Sequence, residues 1–470
     1  MKRLTVSSKL AYAAPAFSLA VVGIPVYVYI PKFYTDAVGV PIGTMGLILL
    51  LVRLFDAFTD PAIGYISDRI KTPFGRRRPL IAAGAVLTVA AMVLLFNPPP
   101  RMDTAAATAW FAVMAAALFL FWTVIIVPYE ALGPELTYDY NERTALFSVR
   151  DGALIAGTLV AAASPAFVKA LWQIEESVDG SRDVFRILSL LYGPLILASA
   201  AWCVMAFRER TTLGTGTSAS FFTGLSSSLQ NRPFRILLIA YTISAIGSNL
   251  PATLILYYVE YVLHSSKADL FLLIYFVTGI LLLPVWVAGA RRFEKKSMWL
   301  AAMAVNTGAF FGVFFLGPGD EWTYGVLVAI SGVGFGASLA IPSAIQADVI
   351  DYDQLKTGLR REGVYIGLWS VAKKLAAAAG VGAGLALLGV SGYDPNRQQP
   401  QAVVTTLRVL YALVPCLCNV VAMAVALGYP LTRGVHQQIH RQIERRLAGE
   451  PFVDPLDSTG GLHHEHEEAS

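Results

Sequence analysis

Twelve apolar runs, each close to the length that crosses a lipid bilayer, follow one another along this chain. They lie near 10–34, 41–67, 80–98, 105–133, 151–172, 184–207, 235–263, 268–290, 298–317, 322–345, 364–389 and 403–430. A helix rises 1.5 Å per residue, so about 20 apolar residues span roughly 30 Å of hydrocarbon. The 470 residues are 56% hydrophobic and 14% charged, against about 25% charged in an ordinary soluble domain. A large soluble core does not explain that deficit, because its surface would still need charge. The expectation is an all-α membrane protein with twelve transmembrane helices. The net charge of +4 is too small and too localised for a nucleic-acid partner. Cys203, Cys416 and Cys418 sit inside apolar runs, with neither zinc spacing nor a disulfide framework. His463, His464 and His466 lie in a C-terminal run read as a solvated tail. The basic stretch Met1 to Lys9 leads into the first span without a small-residue cleavage site, so no signal peptide is expected.

Connections are mostly short, with two exceptions. A Gly/Ser/Thr-rich stretch divides the chain into two six-span halves, residues 1–207 and 235–430, with 208–234 as linker and 431–470 as tail. The tail starts as a basic amphipathic stretch around Arg441, Arg445 and Arg446 and is expected to end disordered and acidic. Most of the 36 basic residues fall in alternate connections, including Lys2, Lys9, Arg76, Arg208, Arg292 and Arg361. Cytoplasmic loops carry such an excess, so both termini are expected in the cytoplasm. The halves also echo each other. Val127-Pro128-Tyr129-Glu130 leads to Asp139-Tyr140, and Ile341-Pro342-Ser343-Ala344 leads to Asp351-Tyr352, each between a half's fourth and fifth spans. Parallel six-span repeats are the architecture of major facilitator transporters.

The second span holds charges that lipid disfavours. Arg53, Asp56, Thr59 and Asp60 are spaced by helical steps of three and four and share one face. An acid at mid-membrane costs on the order of 3 kcal/mol on insertion scales, and such residues mark ion paths. Two carboxylates and a hydroxyl one turn apart offer hard oxygen ligands for Na⁺, or a shared proton. A helix-locking Arg53–Asp56 pair is the competing structural reading, but it leaves Asp60 unexplained. Asp68 and Arg69 then lead into Gly75-Arg76-Arg77-Arg78-Pro79. These are expected to latch helices together at the cytoplasmic face; binding of anionic lipid head groups is the alternative.

Arg53-Leu54-Phe55-Asp56-Ala57-Phe58-Thr59-Asp60-Pro61 with the Gly75 to Pro79 turn resembles the glycoside–pentoside–hexuronide:cation symporter family. Further matching segments are Val127-Pro128-Tyr129 with Glu142-Arg143, Ala347 to Tyr352, Arg361-Glu362-Gly363 and Trp369 to Lys374. The resemblance covers nearly the whole chain, in order. It implies a major facilitator fold, alternating access, and a cation site at Asp56, Thr59, Asp60 and Thr123. Na⁺-coupled members often carry Asn where Thr59 stands, so Na⁺ and H⁺ both remain open. It also implies a coupling lysine in the eleventh span: Lys374, which precedes a small-residue run, with Lys373 as the rival. The sugar-binding acids of melibiose-type members fall here on Ala20 and approximately Ile126. The nearest acid is Glu130. Arg150 is either a solute ligand or an interfacial cation, and Glu260 either a pathway acid or one at the outer boundary. Tyr129 and Trp369 are candidates to stack on a sugar ring.

The expected function is cation-coupled symport of a glycoside or related sugar, by a monomer in the bacterial inner membrane with lipid as its surroundings. A lysophospholipid or other amphipathic solute is the alternative. A channel or receptor does not fit two six-span halves, and no constellation at membrane depth suggests an enzyme. No cofactor is expected, and no metal beyond a coupling Na⁺.

Overall fold

The computed structural model describes residues 4–70, 72–136, 140–175, 177–207, 228–358, 361–456 and 462–463. The linker segment 208–227 and the tail residues His464 and His466 lie outside them.

Long helices follow the apolar runs. They are α1 Val6–Val38, α2 Ile42–Arg69, α3 Arg78–Phe96, α4 Thr104–Leu136, α5 Tyr140–Trp172 and α6 Val178–Ala206. The second set is α7 Arg232–Tyr261, α8 Ala268–Arg292, α9 Lys295–Val313, α10 Glu321–Thr357, α11 Glu362–Val390 and α12 Gln401–Leu427. Eleven of the twelve are long and apolar enough to cross a membrane. The exception, α9, has 19 residues and opens on Lys295 and Lys296, which lower its apolar average. Large apolar side chains such as Phe58, Phe167, Leu190, Leu281 and Trp322 stay exposed on the outside of the bundle. Lipid is the solvent for such a surface.

Local chemistry sets the helix ends and their irregularities. Ser177 caps α6 by accepting from the Gly180 N–H, and Asn231 caps α7 by accepting from that of Phe234. Proline lacks an N–H and crowds the preceding turn. Accordingly α1 widens into π turns at Pro25–Tyr29 and Tyr34–Val38, and α12 does so at Val409–Leu413, just before Pro415. The paired proline motifs occupy equivalent places: Pro128 lies within α4 and Pro342 within α10.

Even-numbered crossing returns the chain's end to the face from which α1 starts, here the termini face; the other is the far face. The tail was expected to be amphipathic and then disordered. Its first part forms α13, Arg433–Leu447, a basic amphipathic helix which buries Ile439 and Ile443 in the second half, while most of the acidic end lies outside the described residues. Two core clusters result. One unites the first half with the far-face part of the second, including Leu254, Tyr257, Tyr258, Tyr324, Leu385 and Tyr411. The other belongs to the second half alone, at its termini-face end, with Phe234, Trp299, Ile345, Val349 and Tyr365. The halves are thus fused at the far face and keep separate cores at the termini face.

Packing of α2 on α11 carries much of that fusion. A Cβ on Gly46 would lie 2.8 Å from both the Ala386 nitrogen and the Gly382 oxygen, so backbone meets backbone there. Small residues permit this approach in lipid, where packing rather than hydrophobicity joins helices. Gly46→Val is expected to wedge α2 from α11. Overpacking strain of about 1–3 kcal/mol would shift a two-state equilibrium about 5- to 100-fold toward opening at the far face. A cysteine placed at Tyr257 in a cysteine-free background should then label faster. Unchanged labelling would show that this contact does not hold the far face shut.

Candidate ion and solute site

The charged face of α2 meets α4 of its own half and α11 of the other. Asp56 and Thr123 are buried, 5% and 1% exposed. The Thr123 hydroxyl lies 2.9 Å from Asp56 Oδ1 and 3.1 Å from Asp60 Oδ1. It has one proton to donate, so the two carboxylates share it. From α11, the Lys374 ammonium lies 3.0 Å from Asp56 Oδ2 and also donates to Asp60 Oδ2. Arg53 Nη1 is 3.9 Å from Asp56 Oδ2 and hydrogen-bonds the Tyr27 hydroxyl at 3.1 Å. Its guanidinium lies over the rings of Tyr27 and Phe119, 4.1 and 4.3 Å from their centroids. The buried Asp56 and the half-buried Asp60 are therefore matched by two cations, the condition under which charges persist away from water. Thr59 stands apart: its hydroxyl donates to the Asp56 carbonyl at 3.1 Å, within its own helix.

The solute candidates divide into two groups. Glu130 and Lys373 are exposed, and Glu130 is within Coulombic reach of Arg150, Asp60, Lys373 and Lys374. Glu130, Lys373 and Arg150 form an accessible polar cluster beside Asp56 and Asp60. Arg150 donates to Asp151 Oδ1 through Nε and Nη2, at 2.9 and 2.8 Å. The aromatics are packing residues in this conformation. Tyr129 is 1% exposed, stacks on Tyr12 and donates to its carbonyl at 2.6 Å. Trp369 stacks on Tyr241 with ring centroids 4.0 Å apart.

The family described as MFS/sugar transport protein matches residues 11–433. The chain belongs to that family. It is 29% identical to a putative sulfoquinovose importer of Escherichia coli, with 85% of each chain covered. It is 27% identical to a glucuronide carrier protein homolog of the same organism, with 86% of this chain and 88% of that one covered. In fold it is similar to the nucleoside transporter NupG, with a TM-score of 0.65, 10% identity, and coverage of 90% and 99%. This MFS/sugar transport protein is thus a multi-pass membrane transporter and not an enzyme.

For an MFS/sugar transport protein the ends of the bundle matter as much as its centre. At the far face a polar network ties the halves together. Lys32 pairs with Asp36 on α1 and with Glu260 on α7, the latter at 2.6 Å. Tyr393 donates to Asp36 Oδ1 at 2.9 Å, and the Asn396 amide donates to the Asp36 carbonyl at 2.8 Å. Burial and the neighbouring Asp36 hold the Tyr393 hydroxyl far above the usual phenol range, so it stays a donor. Tyr29 and Lys169 both reach Asp269, at 2.7 and 3.3 Å. Of this network only Glu260 drew notice in the sequence; Lys32 and Asp36, an i,i+4 charge pair within the first span, were the signal for the rest.

The latch residues of the termini face have local partners. Arg69 lies over the Tyr65 ring, 3.4 Å from its centroid. Thr72 donates to the Gly75 carbonyl and accepts from the Phe74 N–H, and Gly75 adopts φ +108°, closing the turn. Arg77 is 6% exposed and Arg76 half-buried, while Arg78 donates to the Val204 carbonyl at 2.8 Å. The Asp68 side chain lies outside the described residues.

Proposed function

We propose that this transporter couples a cation to the uptake of an anionic sugar, a uronate or sulfonated glycoside. The reading rests above all on the contact of Lys374 on α11 with Asp56 and Asp60 on α2. An ion that binds the two acids has to displace the ammonium, and the displaced ammonium changes the contact between the halves. Thr123 and the hydroxyl oxygen of Thr59, whose proton goes to the Asp56 carbonyl, complete a hard-oxygen set suited to Na⁺; a proton on either acid would release Lys374 in the same way. Ion binding and inter-half geometry are thereby linked, as coupling requires.

The proposed solute chemistry follows from the accessible cluster. Lys373 and Arg150 supply positive charge, and Glu130 can accept hydrogen bonds from sugar hydroxyls. The named solutes of the two similar proteins, sulfoquinovose and glucuronides, both carry an anion on a sugar ring. A neutral galactoside has less support, because Ala20 and Ile126 stand where melibiose-type members have acids. By the distribution of basic residues the termini face is cytoplasmic, and the conformation is then inward-open, with the outer face sealed by the Lys32–Asp36–Tyr393 network.

The test is purified protein in proteoliposomes, given glucuronides, sulfoquinovose, neutral glycosides or lysophospholipids under imposed Na⁺ or H⁺ gradients. Accumulation of an anionic sugar under one of the gradients is expected, with neutral glycosides at least about tenfold poorer, the loss of one charged hydrogen bond of about 1.5–3 kcal/mol. Transport of lysophospholipids alone would overturn the sugar reading.

A further inference from the structure

A second polar cluster lies far from the acids of α2, where α13 docks on α10. The apolar residues Val435, Ile439 and Ile443 recur at i, i+4 and i+8, and Ile439 is fully buried in the second half's core. That stripe fixes the rotation of α13. Both ends of the helix are held: the Arg433 N–H donates to the Glu294 carboxylate at 3.0 Å, and Arg446 donates to the Leu355 carbonyl. His436 and His440, one turn apart, consequently face α10. Their Nε2 atoms lie 3.1 and 3.4 Å from the same atom, Oδ2 of Asp351.

We propose that Asp351, His436 and His440 form a binding site for a divalent transition metal, with zinc the best fit, which clamps α13 to α10. The three ligand atoms all lie within 4.8 Å of one another. Ligands about 2.0–2.1 Å from a tetrahedral zinc stand about 3.3–3.4 Å apart, close to the two nitrogen–oxygen separations seen here. Two imidazoles and one carboxylate favour zinc, nickel or copper over magnesium or calcium, which prefer all-oxygen sets. Asp348 is nearby, with Oδ1 3.4 Å from His436 Nε2, but Lys295 holds both its oxygens at 2.6 and 2.8 Å. Water therefore takes the fourth position. The half-exposed His440 leaves an entry route, its side chain 57% exposed against 22% for His436 and Asp351. The signal was present in the sequence as His436 and His440 at helical i,i+4 spacing opposite an acid, but their partner helix is some 90 residues away.

The experiment uses the full chain purified in detergent without a polyhistidine tag, with His463, His464 and His466 changed to Ala to remove the tail imidazoles. Incubation with zinc chloride and gel filtration should leave about one zinc per chain, and zinc should raise Tm by several degrees, as a ligand specific to the folded state does. Magnesium should do neither. His436→Ala/His440→Ala should retain no zinc and show no zinc-dependent rise in Tm. His440→Gln, at the more exposed position, tests the site with the least disturbance to packing, and should weaken zinc binding by at least about tenfold. Zinc far below one per chain in the starting protein would overturn the site, as would an unchanged zinc response in either variant.

Discussion

Asp56→Asn and Asp60→Asn are each expected to abolish gradient-driven accumulation of solute while leaving the protein folded and inserted. The amide nearly matches the carboxyl group in shape and still accepts from Thr123, which lies 2.9 and 3.1 Å from the two acids. What it removes is the charge that holds Lys374 and that is proposed to bind the cation. Hydrogen bonds to a charged group contribute about 1.5–3 kcal/mol, or about 10- to 100-fold each. In either variant the bond to Lys374 is lost and the bond to Thr123 is no longer charge-assisted, so a loss of about 100-fold in accumulation is the expected size. Uptake into proteoliposomes with and without an imposed gradient measures it, and gradient-independent exchange shows whether solute binding survives. If both variants still concentrate solute, coupling is carried elsewhere. A proton-coupled cycle adds a requirement: at least one of the two acids titrates, and Na⁺ gives no stimulation.

The sequence was most legible where lipid imposes the strictest demands. Apolar runs of about 20 residues allow few structures, so the presence and order of the helices were readable, but α5 begins at Tyr140 and α10 ends at Thr357, well past their apolar runs, because polar turns extend them beyond the lipid. Asp56 and Asp60 were conspicuous because an acid in hydrocarbon needs a reason. Tertiary choices were harder to read. Nothing local distinguishes an aromatic that stacks on a sugar from one that stacks on a neighbour, and Tyr129 and Trp369 stack on Tyr12 and Tyr241. Thr59 has the spacing of a ligand, but spacing does not tell where its proton goes, and here it goes to the backbone of its own helix. The far-face network was obscure for another reason. Asp36 meets Tyr393 and Asn396 more than 350 residues later in the chain, and only the docking of the halves brings them together. The separation of the two core clusters belongs to the same level, since it too depends on how the halves dock.

Lys374→Ala is expected to uncouple transport, with a larger effect than Lys373→Ala. The two lysines are adjacent in sequence but point differently: Lys374 contacts both second-span acids, whereas Lys373 is exposed and in Coulombic reach of Glu130. In Lys374→Ala the one cation left beside the two acids among the described residues is Arg53, which at 3.9 Å reaches Asp56. Accumulation should therefore fall by about 100-fold or more, like the loss of either acid, because the same charge-assisted bonds are removed. Lys373→Ala should act on the solute instead, raising its KM by at least about tenfold, one charged contact's worth, with the response to the ion gradient retained. Charge balance supplies a control that a merely structural lysine would not pass. Arg53 and Lys374 match Asp56 and Asp60; Lys374→Ala leaves one excess negative charge, and Lys374→Ala/Asp60→Asn restores neutrality. The double variant should regain the thermal stability lost in Lys374→Ala without regaining coupling. If Lys373→Ala uncouples transport and Lys374→Ala does not, the coupling cation is the neighbouring lysine. If the double variant is no more stable than Lys374→Ala, the ammonium does not neutralise the pair.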